Sequence, residues 1–470
     1  MSELRPRIEE LPYFEDSAAL FMPWADRRWS AFLDSSFPHC HQGRYDIIAA
    51  DPWCTLVTRG NLTEIRADGQ IRLSPEDPFR LLRDCLGPAI PHDFELPFCG
   101  GAIGYFGYDL GRRLEALPEQ AADDVGVPDM VVGLYDWAVV VDHLQRRSWL
   151  VGLDRNPTTA SRWPYLVRSF SQIQTIGWQR SDFRICSEIL PGMSKSHYAQ
   201  SFAKIQQYIR NGDCYQVNLT QRFSAYCEGN SWTAYELLRQ INPAPFSAYL
   251  HYPQLEILSS SPERFLKASD GLVETKPIKG TRPRHDDPLR DQEQSAELRA
   301  SAKDRAENLM IVDLLRNDIG KSCVPGTVRV PELFAVESYA TVHHLVSTVR
   351  ATLREDLHVL DLLRGCFPGG SITGTPKIRS MQIIEELEPS RRGVYCGSIG
   401  YVGYDGNMDS NIAIRTLTRA DNHIHFSAGG GIVADSELDS EYQECYHKAA
   451  ALLLLLDRFR IRRTGHHVGR

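Results

Sequence analysis

The chain has 470 residues, 42% of them hydrophobic and 24% charged, with a formal net charge of −8. That length can bury one large core or two modest ones, the mild acidity supplies no general attraction for nucleic acid or anionic lipid, and no apolar run reaches the ~20 residues needed to cross a bilayer. The eleven cysteines are an odd number with no Cys-x-x-Cys pair, which argues against a disulfide frame or zinc site and suits a reduced, cytoplasmic enzyme.

The first thirty residues mix Glu, Asp and Arg with apolar residues and do not read as a signal peptide. From about 13 to 155, short β-like runs such as "YDIIAADPWCTLVTRG" and "MVVGLYDWAVVVDHL" alternate with turns. A polar stretch with Arg and Ser, about 155–195, reads as a junction, so the expected division is an N-terminal region 1–190, a second region 191–460 and a basic tail 461–470. Beyond it, "SKSHYAQSFAKIQQYIRNG" has a Ser start, apolar Tyr198, Phe202, Ile205 and Ile209, and an Asn-Gly stop, which predicts an amphipathic helix. "CYQVNLTQRF" and "FSAYLHYPQLEILSSSPERFLKAS" predict strands. Helices are expected over "SAKDRAENLMIVDLLRND" and "TPKIRSMQIIEELE", with "VHHLVSTVRATL" as a strand between them. "VYCGSIGYVGYDGNMDSNIAIRTLTRADNHIHFSAGGGIV" predicts strands turned at Asp405-Gly406 and Asp421-Asn422. A last helix covers about 437–459, and the tail after it is expected to fray. Runs of strands with separate helices give an α+β fold class.

Several side chains stand in patterns that could carry chemistry. In "VETKPIKGTRPR", Lys279 lies between an apolar Pro-Ile step and a Gly-Thr turn, a stiffer frame than a solvated lysine needs. In the last helix Glu441, Glu444 and Lys448 stand at i, i+3 and i+7 and share one face. That face is either a solvated one with an i,i+4 pair, or a carboxylate cluster for a hard cation beside an ammonium for an anion. Glu307 opens an apolar helical run, as a first-turn acid favoured by the helix dipole or as a ligand for Mg²⁺, which takes one or two protein carboxylates. "FPGGSITGTPK" and "FSAGGGIVADS" read as glycine loops where backbone N–H groups meet an anion or a backbone approaches closely. Neither matches a phosphate loop or dinucleotide fingerprint. Glu263 of "SSSPERF" is a turn acid paired with Arg264 or a fixed proton donor, and His344 of "VHHLV" is a packed strand histidine or a catalyst.

The ordered series "SPERF", "PIKGT", "RAENLMIVDLLRNDIG", "HHLVS", "FPGGSITGTPK", "GSIGY", "SAGGGIVADS" and "EYQE" resembles the chorismate-utilising enzymes, the family that forms anthranilate, isochorismate, salicylate and aminodeoxychorismate. The resemblance covers nearly the whole chain, including "FGYDLGRRLEALPE" and "DMVVGLYDWAVVVDH" in the first half. It implies an α/β sandwich of two large antiparallel sheets with interleaved halves. Members that add water resemble one another in a lysine at the position of Gln216, and anthranilate-forming members usually read Pro-Ile-Ala-Gly where this chain has Pro-Ile-Lys-Gly. Lys279 therefore resembles the nucleophile of members that aminate chorismate at ring carbon 4, on the route to 4-aminobenzoate and folate.

The same resemblance implies the other roles. Glu263 matches the general acid, and Glu307 and Glu444 match the Mg²⁺ ligands, with Glu441 close by. Arg415, Tyr395, the backbone of Gly429, Gly430 and Gly431, and Lys448 match a carboxylate clamp, while Thr373 and Lys377 line the same cavity. His344 matches the histidine needed when pyruvate is eliminated. A free lysine titrates near ~10.4, so its surroundings must bring Lys279 down to roughly 7–8 for it to attack. No Gly-x-Cys-x-Gly elbow is present, so ammonia is expected from a separate glutaminase subunit. Ser35, Gln42, Gly43, Arg44 and Tyr45, with Pro245, Phe246 and Ser247, match the family's tryptophan pocket. "GTPK" departs from the commoner "GAPK", with no chemistry attached to Thr375. Two alternatives stay open: an anthranilate-forming enzyme, with Lys279 as the discriminating residue, and a tryptophan-binding scaffold without catalysis.

Overall fold

The computed structural model describes residues 7–41, 43–90, 94–172, 182–339 and 342–460. Strand Trp137–Asp142 illustrates what the sequence dictates: all six of its residues are buried. Successive side chains of a strand point to opposite faces, so Trp137, Val139 and Val141 enter one core while Ala138 and Val140 enter another. Strand Gly101–Phe106 divides in the same way, with Ile103 and Tyr105 facing the second of those cores and Ala102 and Phe106 facing a third. Continuous apolar runs of this kind need cover on both faces.

The cover is a stack of layers. Two antiparallel sheets, of 13 and 12 strands among the described residues, face each other across Ile103, Tyr105, Ala138, Val140, Leu250 and Ile257. Helices close the outer faces, through Leu452, Leu455 and Leu456 on one side and Val312, Ile319 and Leu362 on the other. The halves of the chain interleave at two seams. Ser30–Asp34 pairs with Phe246–His251 in the first sheet, and Gly101–Phe106 pairs with Ser398–Gly403 in the second. The run "MVVGLYDWAVVVDHL" is two strands in different sheets. Met130–Tyr135 crosses to Trp137–Asp142 at Asp136, whose carboxylate accepts from the N–H groups of Arg155 and Asn156 at 2.9 and 3.0 Å.

Helix starts follow the capping residues. Ser194, Asn230 and Ser301 each accept a backbone N–H, from His197, Trp232 and Asp304, at the heads of Lys195–Arg210, Ser231–Ile241 and Ala302–Gly320. Lys377–Leu387 and Leu438–Arg458 fall where helices are expected.

Two expectations are corrected. The stretch 155–195 is no bare junction, because Pro157–Ser171 is a helix and Arg184–Ile185 and Leu190–Pro191 are short strands against Gln216–Glu228. Leu166 and Phe170 are fully buried one turn apart, but Pro164 and the polar outer face hide their periodicity from the sequence. "FSAGGGIV" is not a loop either: its glycines lie inside strand His423–Ile432, paired with Leu219, Thr220 and Asn218. The tail 461–470 lies outside the described residues.

Phe170 stacks on Trp24 at 5.1 Å between ring centroids and 7° between planes. Phe170→Ala is expected to lower stability by about 3–5 kcal/mol, read as a fall in the denaturant midpoint. An unchanged midpoint would mean that this helix does not dock on the sheet.

Candidate active site

Lys279 sits on Ile278–Pro283, the edge strand of the second sheet, paired with Val342–Thr352. The pairing slips between Ile278 and Thr281, an irregularity of the kind that re-aims a side chain. Gly280 makes it feasible: its φ is +83°, and a Cβ there would lie 2.8 Å from the carboxylate carbon of Asp304. This is the physical content of the stiff frame around Lys279. Its Nζ lies 3.9 Å from Glu307 Oε2, with the lysine side chain 16% exposed. Burial draws the amine below the ordinary lysine range; Glu307 opposes that and Lys448 reinforces it.

Glu263 follows strand Glu256–Ser261 and is buried. The Ser371 hydroxyl donates to its Oε1 at 2.8 Å. Burial pushes the Glu263 carboxyl up to about 7, against the pull of Ser371, Lys279 and Lys448. The turn-acid alternative is not realised: Arg264 pairs with Asp409 and Glu274 at 3.0 and 3.3 Å.

Helix Ala302–Gly320 supplies Glu307 from its second turn, since Asp304 fills the first. Arg282 is bound to Asp304 and Glu297 at 3.1 and 3.0 Å. Helix Leu438–Arg458 supplies Glu441, Glu444 and Lys448. Lys448 pairs with Glu444 at 2.6 Å and donates to the Gly429 carbonyl at 3.0 Å. Glu441 accepts from Ser436 at 2.7 Å. Gly430 admits both acids: a Cβ there would stand 3.2 Å from a carboxylate oxygen of each. Burial raises the carboxyls of Glu307 and Glu441 above the usual range. Burial acts most strongly on Glu444 as well, but Lys448 overcomes it and holds that carboxyl low. Among the described residues no three His, Cys, Asp or Glu side chains form a ready-made metal cage.

His344 is buried, with Nδ1 2.9 Å from Thr281 Oγ1. Burial and then Arg415 push its imidazole down to about 4, so it is neutral near pH 7. Arg415 has a φ of +49° and donates to Asn242 at 3.0 Å. Among the described residues it has no carboxylate partner, and burial lowers its affinity for its proton. Tyr395 is buried, and its phenol is raised far above its normal range by that burial. Thr373 spends its hydroxyl on the Gly369 carbonyl at 3.0 Å. Lys377 is placed elsewhere: its ammonium pairs with Asp318 and the Cys366 carbonyl instead of joining the carboxylate cluster. Sequence reasoning missed Ser371, Asn242 and Thr281 as partners of this cluster, because nothing in a linear string links Ser371 to a carboxylate 108 positions away.

A separate cavity of about 780 Å³ opens between the sheets. Ser35, Gly43, Arg44, Tyr45, Pro245, Phe246 and Ser247 all line it, while Gln42 lies outside the described residues. Arg44 is fixed by Asp142 at 3.0 Å and lies 4.5 Å over the Tyr45 ring.

Residues 42–454 match the family profile described as chorismate binding enzyme. The chain belongs to that family. Within the chorismate-binding enzymes it is 47% identical to aminodeoxychorismate synthase component 1 of Escherichia coli (strain K12), over 97% of this chain and 100% of the relative. It is 37% identical to anthranilate synthase component 1 of Thermus thermophilus, over 96% of this chain and 98% of that one. The crystal structure of anthranilate synthase component I from Streptococcus pneumoniae superposes with a TM-score of 0.75 at 32% identity, covering 87% of this chain and 91% of that one. The two-sheet α+β architecture is thus shared with a solved member of the family.

Glu263 yields a stability test with a definite sign. Its carboxyl is raised from 4.5 to about 7 in the folded state, so folded protein holds the proton more tightly than unfolded. Its contribution is intact below about 4.5 and is lost as pH rises towards 7, a loss of about 3 kcal/mol. Glu263→Gln, neutral at every pH, is expected to melt higher than the parent at pH 8 and equally at pH 4. Equal melting at both would show that Glu263 is not held by burial.

Proposed function

We propose that this chain is the large subunit of an aminodeoxychorismate synthase, converting chorismate and ammonia to 4-amino-4-deoxychorismate and water. The observation that carries the reading is Lys279, a largely enclosed amine on a glycine bulge, flanked by the carboxylates of Glu307 and Glu263. The identity of 47% to an aminodeoxychorismate synthase component 1 supports it.

Chorismate has a hydroxyl on ring carbon 4 and a conjugated diene reaching carbon 2. The Lys279 amine adds to carbon 2, both ring double bonds shift one position round the ring towards carbon 4, and the carbon 4 oxygen leaves as water with the proton held by Glu263. Ammonia then adds at carbon 4, both double bonds shift back, and the bond from carbon 2 to the Lys279 nitrogen breaks, returning the free amine. Glu263 suits its part because burial keeps it protonated close to pH 7, where an ordinary carboxyl cannot give up a proton. Arg415 suits a substrate carboxylate because it is a half-buried cation whose guanidinium, among the described residues, meets the Asn242 amide oxygen and no carboxylate.

Glu307 and Glu444, with Glu441 beside them, fit Mg²⁺, which uses one or two carboxylates and leaves its other positions to water or substrate. The bare Gly430 strand that cradles two of these acids supports that fit. When bound, the ion would neutralise charge on the ring carboxylate. The chemistry draws on residues 191–460. A separate glutaminase subunit belongs to the reading, as does a cytoplasmic setting; no helix of the described residues is long and apolar enough to cross a membrane. We assign the 780 Å³ cavity to tryptophan, whose ring would meet Phe246 and Tyr45.

Purified chain given chorismate, Mg²⁺ and concentrated ammonium is expected to form a product that an added lyase turns into 4-aminobenzoate. Lys279→Ala should cut that rate by at least ~10³-fold, and quenched wild-type reactions should carry a substrate-derived mass on Lys279. Fluorescent anthranilate as the main product would overturn the reading in favour of anthranilate synthesis. Calorimetric titration with Mg²⁺ is expected to give binding at least ~10-fold weaker in Glu444→Gln than in the parent; equal binding would remove Glu444 from the ion's shell.

A further inference from the structure

The charge of Lys377 stands where helix electrostatics disfavour it. It is the first residue of helix Lys377–Leu387, and the N-terminus of a helix is the positive pole of its dipole, where an acid is favoured. The side chain is nonetheless only 13% exposed, its ammonium pairing with Asp318 and donating to the Cys366 carbonyl at 2.7 Å. Cys366 ends helix Val359–Cys366, so its carbonyl is one of those that a helix C-terminus leaves open. Cys366 and Lys377 bracket the segment 367–376. One ammonium therefore closes the two ends of this segment on each other and ties them to Asp318, which is buried.

Asp318 lies in the last turn of helix Ala302–Gly320, where Glu307, Leu314 and Asp318 stand at i, i+7 and i+11 and share one face. The segment runs along that face: Gly370 approaches Leu314 so closely that a Cβ would stand 2.3 Å from its Cδ2. Between its closed ends the segment presents Ser371, whose hydroxyl donates to Glu263 at 2.8 Å. The same helix face carries Glu307, 3.9 Å from the Lys279 amine. One ion pair thus joins the element that holds the acid to the element that holds the neighbour of the amine. Asp318 Oδ2 accepts no aligned hydrogen bond, so charge holds it to Lys377. A buried pair of this kind adds little stability over apolar side chains of the same volume, which leaves a fixed register as its contribution.

We propose that Asp318 and Lys377 are positioning residues for the amination. Their pair locks the segment 367–376 against helix Ala302–Gly320 and so sets Ser371 and Glu263 at their spacing from Glu307 and Lys279. That spacing lets the carbon 4 oxygen take its proton while the amine attacks carbon 2. Both residues act through Ser371. The assignment rests on the aminating function proposed above.

The test replaces both partners at once, because removing one leaves the charge of the other buried and unmatched. Asp318→Leu together with Lys377→Met is expected to melt about where the parent does. Amide hydrogen exchange over 367–376 should nonetheless become at least ~10-fold faster. With saturating ammonium, kcat should fall at least ~10-fold while the KM for chorismate stays within about 2-fold. Ser371→Ala should lower kcat at least ~5-fold in the parent but less than ~2-fold in the double variant, because both changes break one chain of contacts. Lys377→Arg, which keeps the charge and the donors, should hold kcat within about 3-fold of the parent. Should the double variant not fold, Asp318→Asn, which keeps the shape of the side chain, carries the same measurements. Unchanged exchange overturns the clasp. Faster exchange with unchanged kcat, or losses that simply multiply with that of Ser371→Ala, overturns the positioning role. A parent that makes no aminated product from ammonium overturns the aminating reading itself, whereas the exchange measurement still decides whether the clasp exists.

Discussion

The site depends on charge held out of water in near balance. Two carboxylates and an amine, the buried Glu263 with the partly buried Glu307 and Lys279, stand close enough to act on one another's charge, with Lys448 and Glu444 at the edge. Burial penalises every charged form, raising acids and lowering bases, while each opposite neighbour works against that penalty. The outcome is a carboxyl that keeps its proton close to pH 7 beside an amine that holds its own less firmly. Neither would arise from the same residues on a solvated surface, where water and salt would flatten the differences.

That balance requires positions fixed from far apart in the chain. Glu263 comes from a strand end of the first sheet, Lys279 from a bulged edge of the second, Glu307 from a helix over that second sheet, and Lys448 from the last helix. Two stacked sheets supply the rigidity, because strands apolar on both faces cannot slide by one residue without exchanging their cores. The glycines finish the placement. Gly280 permits the turn beside Lys279, and Gly430 lets two acids lie against a strand.

Much of this was legible in the sequence. The Ser194 cap marked a helix start because the capping bond is local, and Glu441, Glu444 and Lys448 declared a shared face through helical spacing alone. The stretch 155–171 was misread because Pro164 interrupts a pattern of only two fully buried apolar side chains, Leu166 and Phe170. "AGGG" looked like a loop because glycine carries no pattern, whereas its strand pairing is set by a partner more than two hundred positions earlier. The choice of Ser371 over Arg264 as the partner of Glu263 was equally invisible, since it is decided where a distant segment packs. Lys377 carried the right charge in the right motif, yet the buried Asp318 claims it. Local rules gave elements, and family resemblance joined them into a site that distance geometry alone supplies.

The interleaved halves bear on how the molecule is made. Ser30–Asp34 finds its neighbour in Phe246–His251, and Ser36 bonds Ser247 across 211 positions. At usual synthesis rates, that neighbour leaves the ribosome about 10–40 s after the first strand does. Throughout that interval an apolar strand edge is open to solvent and to other nascent chains. Production of this protein therefore leans on chaperone capacity and translation speed more than a bead-like arrangement of two domains would, and neither half has the makings of an independently expressible fragment.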